Sequence, residues 1–104
     1  MIEYQDKLYE LKFNLKRVEL IEAAMGKSIM AACVAADKNG LMQLRDLKAF
    51  YAYGLKETGA PVFVAPGAAR EICEGLIEEI GYIPTVRLVQ AALMRDLPFF
   101  FRTA

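Results

Sequence analysis

Apolar residues near the start of the chain alternate along two short segments that flank the polar residues Gln5, Asp6 and Lys7. Tyr9 and Phe13 share one parity, whereas Leu8 has the other. Alternation with a period of two is typical of strands, so this pattern predicts an N-terminal β-hairpin. The turn lacks the Asn-Gly or Asp-Gly pair that most favours a two-residue hairpin loop.

The period changes at Asn14, where the hairpin leads directly into a helix. The apolar residues that recur at helical spacing are Leu15, Val18, Ile21 and Met25. Asn14 is a favourable N-cap and Gly26 a favourable stop, so the first helix is predicted over residues 15–25. Ser28 can cap a second short helix over residues 29–36, which closes at the turn-forming residues 37–40.

Three wider apolar stripes predict the remaining helices. The first lies on a helix over residues 41–56 that ends by Gly59. Its members are Leu44, Leu47, Tyr51 and Leu55. Gly54 within this helix costs about 1 kcal/mol relative to alanine, so its presence indicates a close helix crossing. The second helix is predicted over residues 68–80 and stops at Gly81. The last helix has Pro84 in its first turn and ends near Asp96.

Residues 62–64 (Val-Phe-Val) are β-prone but bracketed by prolines, so they form either an extended connector or a third short strand beside the hairpin. The predicted fold is therefore α+β and mainly α. It has an N-terminal hairpin followed by four to five short helices, in a single domain over residues 1–104.

Charge and composition limit the function. Thirteen basic and thirteen acidic residues cancel, which argues against nucleic acid as a partner. The chain has no histidine, and this excludes Ser-His-Asp catalysis, His-containing zinc sites and His-based acid–base chemistry. We therefore expect no catalytic residues, no metal site and no cofactor. A hydrophobic content of 56% in so short a chain indicates that some apolar surface is buried against a partner or in a homo-oligomer.

The apolar runs and the cysteines indicate the cellular compartment of the protein. The longest strongly apolar run, residues 29–36, has 8 residues, whereas about 20 are needed to span a bilayer. The first residues, which include Glu3 and Asp6, do not resemble a secretory signal. We expect a cytoplasmic protein without membrane contact. Cys33 and Cys73 lie among apolar neighbours, which favours buried thiols over a disulfide.

Two motifs that could carry chemistry have simpler structural explanations. Gly26-Lys27-Ser28 matches the end of a phosphate-binding P-loop, but the glycine required five residues earlier is Ile21. A helix stop followed by an N-cap explains it better. Two sets of glutamates could serve as acid and base, but residues three or four apart on a helix are also typical of a solvated helix face. The sets are Glu19 with Glu22, and Glu74 and Glu78 with Arg70.

A small basic cluster, Lys12, Lys16 and Arg17, lies where the hairpin meets the first helix. Glutamates at positions 10, 19 and 22 are interleaved with it, so a continuous phosphate-binding stripe is not expected.

Aromatic residues are the best candidates for partner contact. Half of the six phenylalanines lie at positions 99–101, directly after Pro98. This segment either docks into the core or, because consecutive side chains alternate in direction, leaves at least one ring for a partner. On the central helix Tyr51 belongs to the core stripe, so Phe50 or Tyr53 must face elsewhere. The predicted partner-binding residues are Phe50, Tyr53, Leu97, Phe99, Phe100 and Phe101.

Three segments carry a family resemblance: YELKFNLKRVELIEAAMG, LRDLKAFYAYGLKETG and AREICEGLIEEIGY. Their order, over residues 2–97, resembles that of the tail assembly chaperones of long-tailed bacteriophages and prophages. The match consists of apolar spacing, a GL pair and glycine breaks. The resemblance implies a small, mostly helical protein of the bacterial host cytoplasm that binds the tape measure protein, keeps it soluble and helps recruit tail tube protein. The C-terminal Pro-Phe-Phe-Phe departs from this pattern.

Two other functions remain open on the sequence alone. One is a homodimeric regulatory module of a phage or mobile element that contacts nucleic acid through Lys12, Lys16 and Arg17. The other is an enzyme with a small-molecule pocket, which would need a concave site with convergent polar groups.

Overall fold

The computed structural model describes residues 2–39 and 42–101, with the side chains of residues 34, 35 and 37–39 excepted. It has the expected mainly helical α+β fold. The elements are β1 (Ile2–Tyr4), β2 (Lys7–Leu11), α1 (Leu15–Met25), α2 (Ile29–Asn39), α3 (Leu44–Gly54), β3 (Leu55–Glu57), α4 (Pro66–Ile80), α5 (Tyr82–Asp96) and a 3₁₀ turn (Pro98–Phe100).

The strands form an antiparallel sheet in the order β1-β2-β3. Tyr4 lies opposite Lys7, which leaves Gln5 and Asp6 as a two-residue loop. Both have positive φ, 49° and 65°, as a type I′ turn requires. The predicted hairpin is confirmed, with non-glycine residues in the left-handed positions. Among the described residues no strand pairs with the outer edge of β1.

The helix caps confirm most of the predicted boundaries. Asn14 Oδ1 accepts the Arg17 N–H at 2.9 Å, and Gly26, with φ 72°, ends α1 at Met25. Ser28 Oγ accepts the Ala31 N–H at 3.1 Å in the first turn of α2, which continues past residue 36 to Asn39. The turn predicted over residues 37–40 is wrong at residues 37–39, which belong to α2, and residue 40 lies outside the described residues. The helix predicted from residue 41 begins only at Leu44, since residues 42–43 are not helical, and residue 41 lies outside the described residues. Gly81, with φ 97°, separates α4 from α5.

The helix predicted over residues 41–56 is wrong at its C-terminal end, because α3 stops at Gly54 and the chain enters β3. Leu55 pairs with Leu11 of β2, and the Gly54 carbonyl accepts the Lys12 N–H at 2.8 Å. The sheet hydrogen bonds therefore replace the last helical turn. Gly54 does mark a close approach, but to the Phe13 ring and not to a crossing helix. A Cβ atom there would overlap Phe13 Cε1 and lie 2.9 Å from Cζ.

The third strand is β3, and residues 62–64 form an extended connector beside it. Phe63 makes a single bridge to Lys56, and the Val64 N–H donates to the Leu55 carbonyl at 2.9 Å. The connector covers the edge of β3, whereas no strand in the described ranges pairs with the outer edge of β1.

Helix α3 lies at the centre of the core. Phe50 and Tyr51 are fully buried, and the Tyr51 hydroxyl donates to the Thr85 carbonyl of α5 at 3.0 Å. Helices α1, α4 and α5 bury one face each. The residues of these faces are Val18, Ile21 and Met25 on α1, Ala69, Cys73 and Leu76 on α4, and Thr85, Val86, Val89, Ala92 and Leu93 on α5.

The start of α1 and the end of α5 are joined by Asp96. Its Oδ2 accepts the Phe13 N–H at 2.9 Å, and Arg95 Nε lies 2.7 Å from its Oδ1. Arg95 Nη2 also donates to the Leu11 carbonyl. Burial opposes ionisation of Asp96, but the hydrogen bonds from Arg95 and Phe13 outweigh it and lower the pKa of the carboxyl. The C-terminal end of α5 is thereby held against the hairpin.

Gly54→Ala is expected to destabilise the protein by about 1–3 kcal/mol, because the buried Phe13 ring cannot move aside without disturbing Phe50. Gly67→Ala in the first turn of α4 is the matched control. Nothing lies within 4 Å of its added Cβ, so it should stabilise by about 0.5–1 kcal/mol. Urea unfolding measures both, and equal effects would contradict the steric explanation.

Asp96→Asn is expected to lower the free energy of unfolding by about 1.5 kcal/mol at neutral pH. Because folding lowers the pKa of Asp96, the ionised carboxylate contributes stability above the unfolded-state pKa of about 3.9 and loses it as the pH falls through the folded-state pKa. The gap between wild type and variant should therefore shrink below about pH 4 in urea titrations. A gap between wild type and Asp96→Asn that is independent of pH would refute the explanation.

Candidate interaction surface

An apolar groove runs along α5 beside the edge strand β1. It consists of two adjoining depressions of 440 and 220 Å³ that share Ile2 and Leu88. We call it the α5 groove. Its apolar lining residues are Ile2, Leu11, Leu76, Ile80, Pro84, Leu88, Ala91 and Ala92.

Helical spacing explains why these residues lie together. Pro84, Leu88 and Ala91 follow one another at intervals of four and three on α5, and Leu76 and Ile80 are four apart on α4, so each set lies on one helix face. This face of α5 differs from the buried stripe. The floor of the groove is formed by core residues such as Ile2 and Leu76, and its accessible walls by apolar positions outside the buried stripes, such as Ile80, Pro84 and Ala91.

The apolar surface continues past Pro84 into a third depression of 540 Å³ at the start of α5. Ile83 is 48% exposed there, and Ile80, in the α5 groove, is 43% exposed. The Tyr82 hydroxyl donates to the Met42 carbonyl, which closes the far side of this depression. Contiguous apolar surface with a polar rim is typical of protein interaction sites.

Charged side chains of both signs lie at the rim of the α5 groove. Glu3 and Arg87 line the larger depression, and Glu10 and Arg95 line the smaller one. This rim is balanced in charge, so apolar contact dominates what the groove can bind.

The position of β1 fixes one wall of the groove. The Tyr4 hydroxyl lies over Gly75 of α4, where an added Cβ would overlap it. Tyr4 thus approaches the α4 backbone at a site that only glycine allows, and this places Ile2 of the same strand in the lining of the groove.

The structure removes two of the predicted partner-binding residues from the surface. Phe50 is fully buried and packs edge-to-face on Phe13, with ring centroids 6.0 Å apart at 86°. Leu97 is also buried in the core. Tyr53 is the central-helix aromatic that faces outward; it is half-buried, with the Arg70 guanidinium 5.7 Å from its ring centroid.

The three C-terminal phenylalanines divide between the two predicted roles. Phe100 packs against the core, whereas Phe99 and Phe101 are exposed. The Phe99 and Phe100 rings lie 5.2 Å apart, so Phe99 extends the apolar surface that Phe100 anchors.

The other sequence motifs have structural roles. Lys27 of the Gly-Lys-Ser segment pairs with the buried Asp46 at 2.9 Å. Glu22 accepts the Ile29 N–H at 3.0 Å and so helps cap α2. In the basic cluster the Arg17 guanidinium stacks 3.7 Å above the Phe63 ring.

The sequence pattern does not predict the α5 groove, because the core stripe of α5 is the stronger apolar pattern on that helix. The positions of α5 outside the core stripe carry a second apolar pattern that indicates the groove. Pro84, Leu88 and Ala91 recur at helical spacing once Val86, Val89 and Leu93 are assigned to the core.

Burial sets the chemistry of the candidate nucleophiles. Desolvation raises the pKa of the Cys73 thiol to about 12, although Lys48 opposes the rise, and burial also raises the pKa of Tyr51 and Tyr82. In the described part of the chain, no three His, Cys, Asp or Glu side chains are grouped so as to hold a metal ion. Nor does any described helix combine the length and apolar character needed to cross a membrane.

No protein-family model, curated protein or solved structure matches the chain.

Replacing the C-terminal phenylalanines should separate the two roles. Phe100→Ala is expected to cost about 2 kcal/mol of stability, because its ring is packed on the core. Phe99→Ala and Phe101→Ala should change the free energy of unfolding by less than about 0.5 kcal/mol. Thermal and urea unfolding measure all three. A loss at Phe99 or Phe101 as large as that at Phe100 would mean that the whole segment is core.

Proposed function

We propose that this protein is a non-catalytic chaperone of phage tail assembly, which binds the tape measure protein in the bacterial cytoplasm and assists assembly of the tail tube. The resemblance described above motivates the family. The α5 groove is the observation that supports binding of an apolar protein client.

The shape of the α5 groove suits a helical client. Its α5 wall runs from Pro84 to Ala91, about 10 Å or two helical turns. A client helix with apolar residues at positions i, i+3, i+4 and i+7 presents a row of that length. Because the rim of the α5 groove carries charges of both signs, it does not select for a client of one net charge.

The chemistry of the buried groups favours binding over catalysis. With a pKa raised to about 12, the Cys73 thiol stays protonated near neutral pH and is a poor nucleophile. It packs as a small apolar side chain within the core.

Co-expression with a tape measure fragment from the same gene neighbourhood tests the proposal. The fragment should be soluble with the wild-type protein and insoluble without it. The double variant Ile80→Gln/Ile83→Gln should lose most of this effect, because two apolar anchors are removed from the surface. The measurement is the soluble fraction of the fragment, with light scattering of the complex to give its stoichiometry.

Leu8→Gln/Leu15→Gln is the matched control, since these leucines are 44% and 55% exposed but lie outside both the α5 groove and the third depression, which Ile83 lines. It should preserve client solubility. A fragment that stays insoluble with the wild-type protein, or that is equally soluble without it, would refute the proposal. Equal loss in both double variants would place the binding surface elsewhere.

A further inference from the structure

A second pocket, of 330 Å³, lies between α1, α3 and α4 and shares no residue with the α5 groove. We call it the basic pocket. Its lining residues are Ala24, Leu44, Arg45, Lys48, Ala49 and Arg70.

Three cations converge on the basic pocket from two helices. Arg45 and Lys48 are three residues apart on α3, so they lie on one face of that helix, and Arg70 comes from α4. All three are at least partly accessible to solvent. The pocket can therefore offer several N–H donors to one anion.

The counter-charges around the pocket leave it positive. Glu74 approaches Lys48 at 3.4 Å, but this carboxylate is itself half exposed. Asp46 lies 3.8 Å from Arg45 and is bound more closely by Lys27, at 2.9 Å. Among the described residues no carboxylate lies within 4.0 Å of the Arg70 guanidinium. Of the three cations, Arg70 alone has no carboxylate partner among the described residues, and the three cations outnumber the two carboxylates, Asp46 and Glu74, that contact them.

The remaining walls are aliphatic. Leu44 is half exposed, although its spacing places it on the predicted core stripe, and Ala24 and Ala49 complete the apolar side. A volume of 330 Å³ is at the small end for ligand sites and accommodates one or two side chains. The matching ligand has one anionic group on a short apolar stem.

A carboxylate fits this site better than a polyphosphate chain. Glu71, Glu74 and Glu78 are exposed on α4, the helix that supplies Arg70, and would repel a ligand with charge spread along its length. A single carboxylate presents less charge to these glutamates than a polyphosphate does, and it can replace the half-exposed Glu74 as the partner of Lys48.

We propose that the basic pocket binds an aspartate or glutamate side chain of the protein client, next to an aliphatic residue that packs on Leu44. This inference rests on the proposed function, because it assigns the carboxylate to the client. It adds a second contact of different chemistry to the apolar contact at the α5 groove.

The test is a titration of the ¹⁵N-labelled protein with the capped dipeptide acetyl-Leu-Glu-amide, followed through the amide signals of Ala24, Leu44 and Ala49. Acetyl-Leu-Gln-amide is the matched uncharged probe. The Glu dipeptide should bind about tenfold more tightly, as expected for charge-assisted hydrogen bonds, and addition of salt should weaken it.

Lys48→Gln should weaken binding of the Glu dipeptide about tenfold, while Lys16→Gln, at an exposed lysine of α1 outside the pocket, should not change it. Equal affinity for the two dipeptides, or no saturable change in these signals, would overturn the proposal. Inorganic phosphate or oligothymidylate binding more tightly than the Glu dipeptide, and losing affinity in Lys48→Gln, would also overturn it and assign the pocket to phosphate. The titration contains no client, so its failure is distinguishable from failure of the co-expression experiment.

Discussion

The contact between the Phe13 ring and the bare backbone of Gly54 determines how the sheet joins the helices. Three connections meet there: the Lys12 N–H binds the Gly54 carbonyl, the Phe13 N–H binds Asp96, and the Phe13 ring packs on Phe50. They join the exit of β2, the exit of α3 and the end of α5. Because α5 is held at this point, it lies along the sheet, and the α5 groove forms between them.

Local signals predicted the parts of the fold that depend on local hydrogen bonds. Asn14, Gly26 and Gly81 set helix ends through contacts within a few residues, so the helix ends predicted from them are found in the structure. The end of α3 did not follow its local pattern. Leu55 continues the helical stripe, but its strand partner is Leu11, 44 residues earlier in the chain. Pairing with the distant strand β2 explains why the helix stops at Gly54.

The candidate surface was harder to predict than the fold, because exposure depends on how many neighbours a helix has. Phe50 lies off the apolar stripe of α3 and was expected to be a surface residue, yet α1, α4 and α5 all pack against α3 and leave it little solvent-facing surface. A helix surrounded in this way buries residues all round. Helix α5 is covered less completely, so its second apolar row, through Leu88, remains available.

The central position of α3 also bears on binding. Arg45 and Lys48 project from the helix whose Phe50 and Tyr51 are fully buried, and Arg70 lies on α4, which buries Cys73 and Leu76 against the same core. The α5 groove is fixed by Asp96 at one end and by Tyr4 over Gly75 on its β1 side. Both surfaces are therefore built on backbone that the core already orders. Since ordering a surface on association costs free energy, a surface ordered in advance binds more tightly for the same contacts. The α5 groove and the basic pocket are both small, so they can contribute to binding affinity only when ordering them on association costs little free energy.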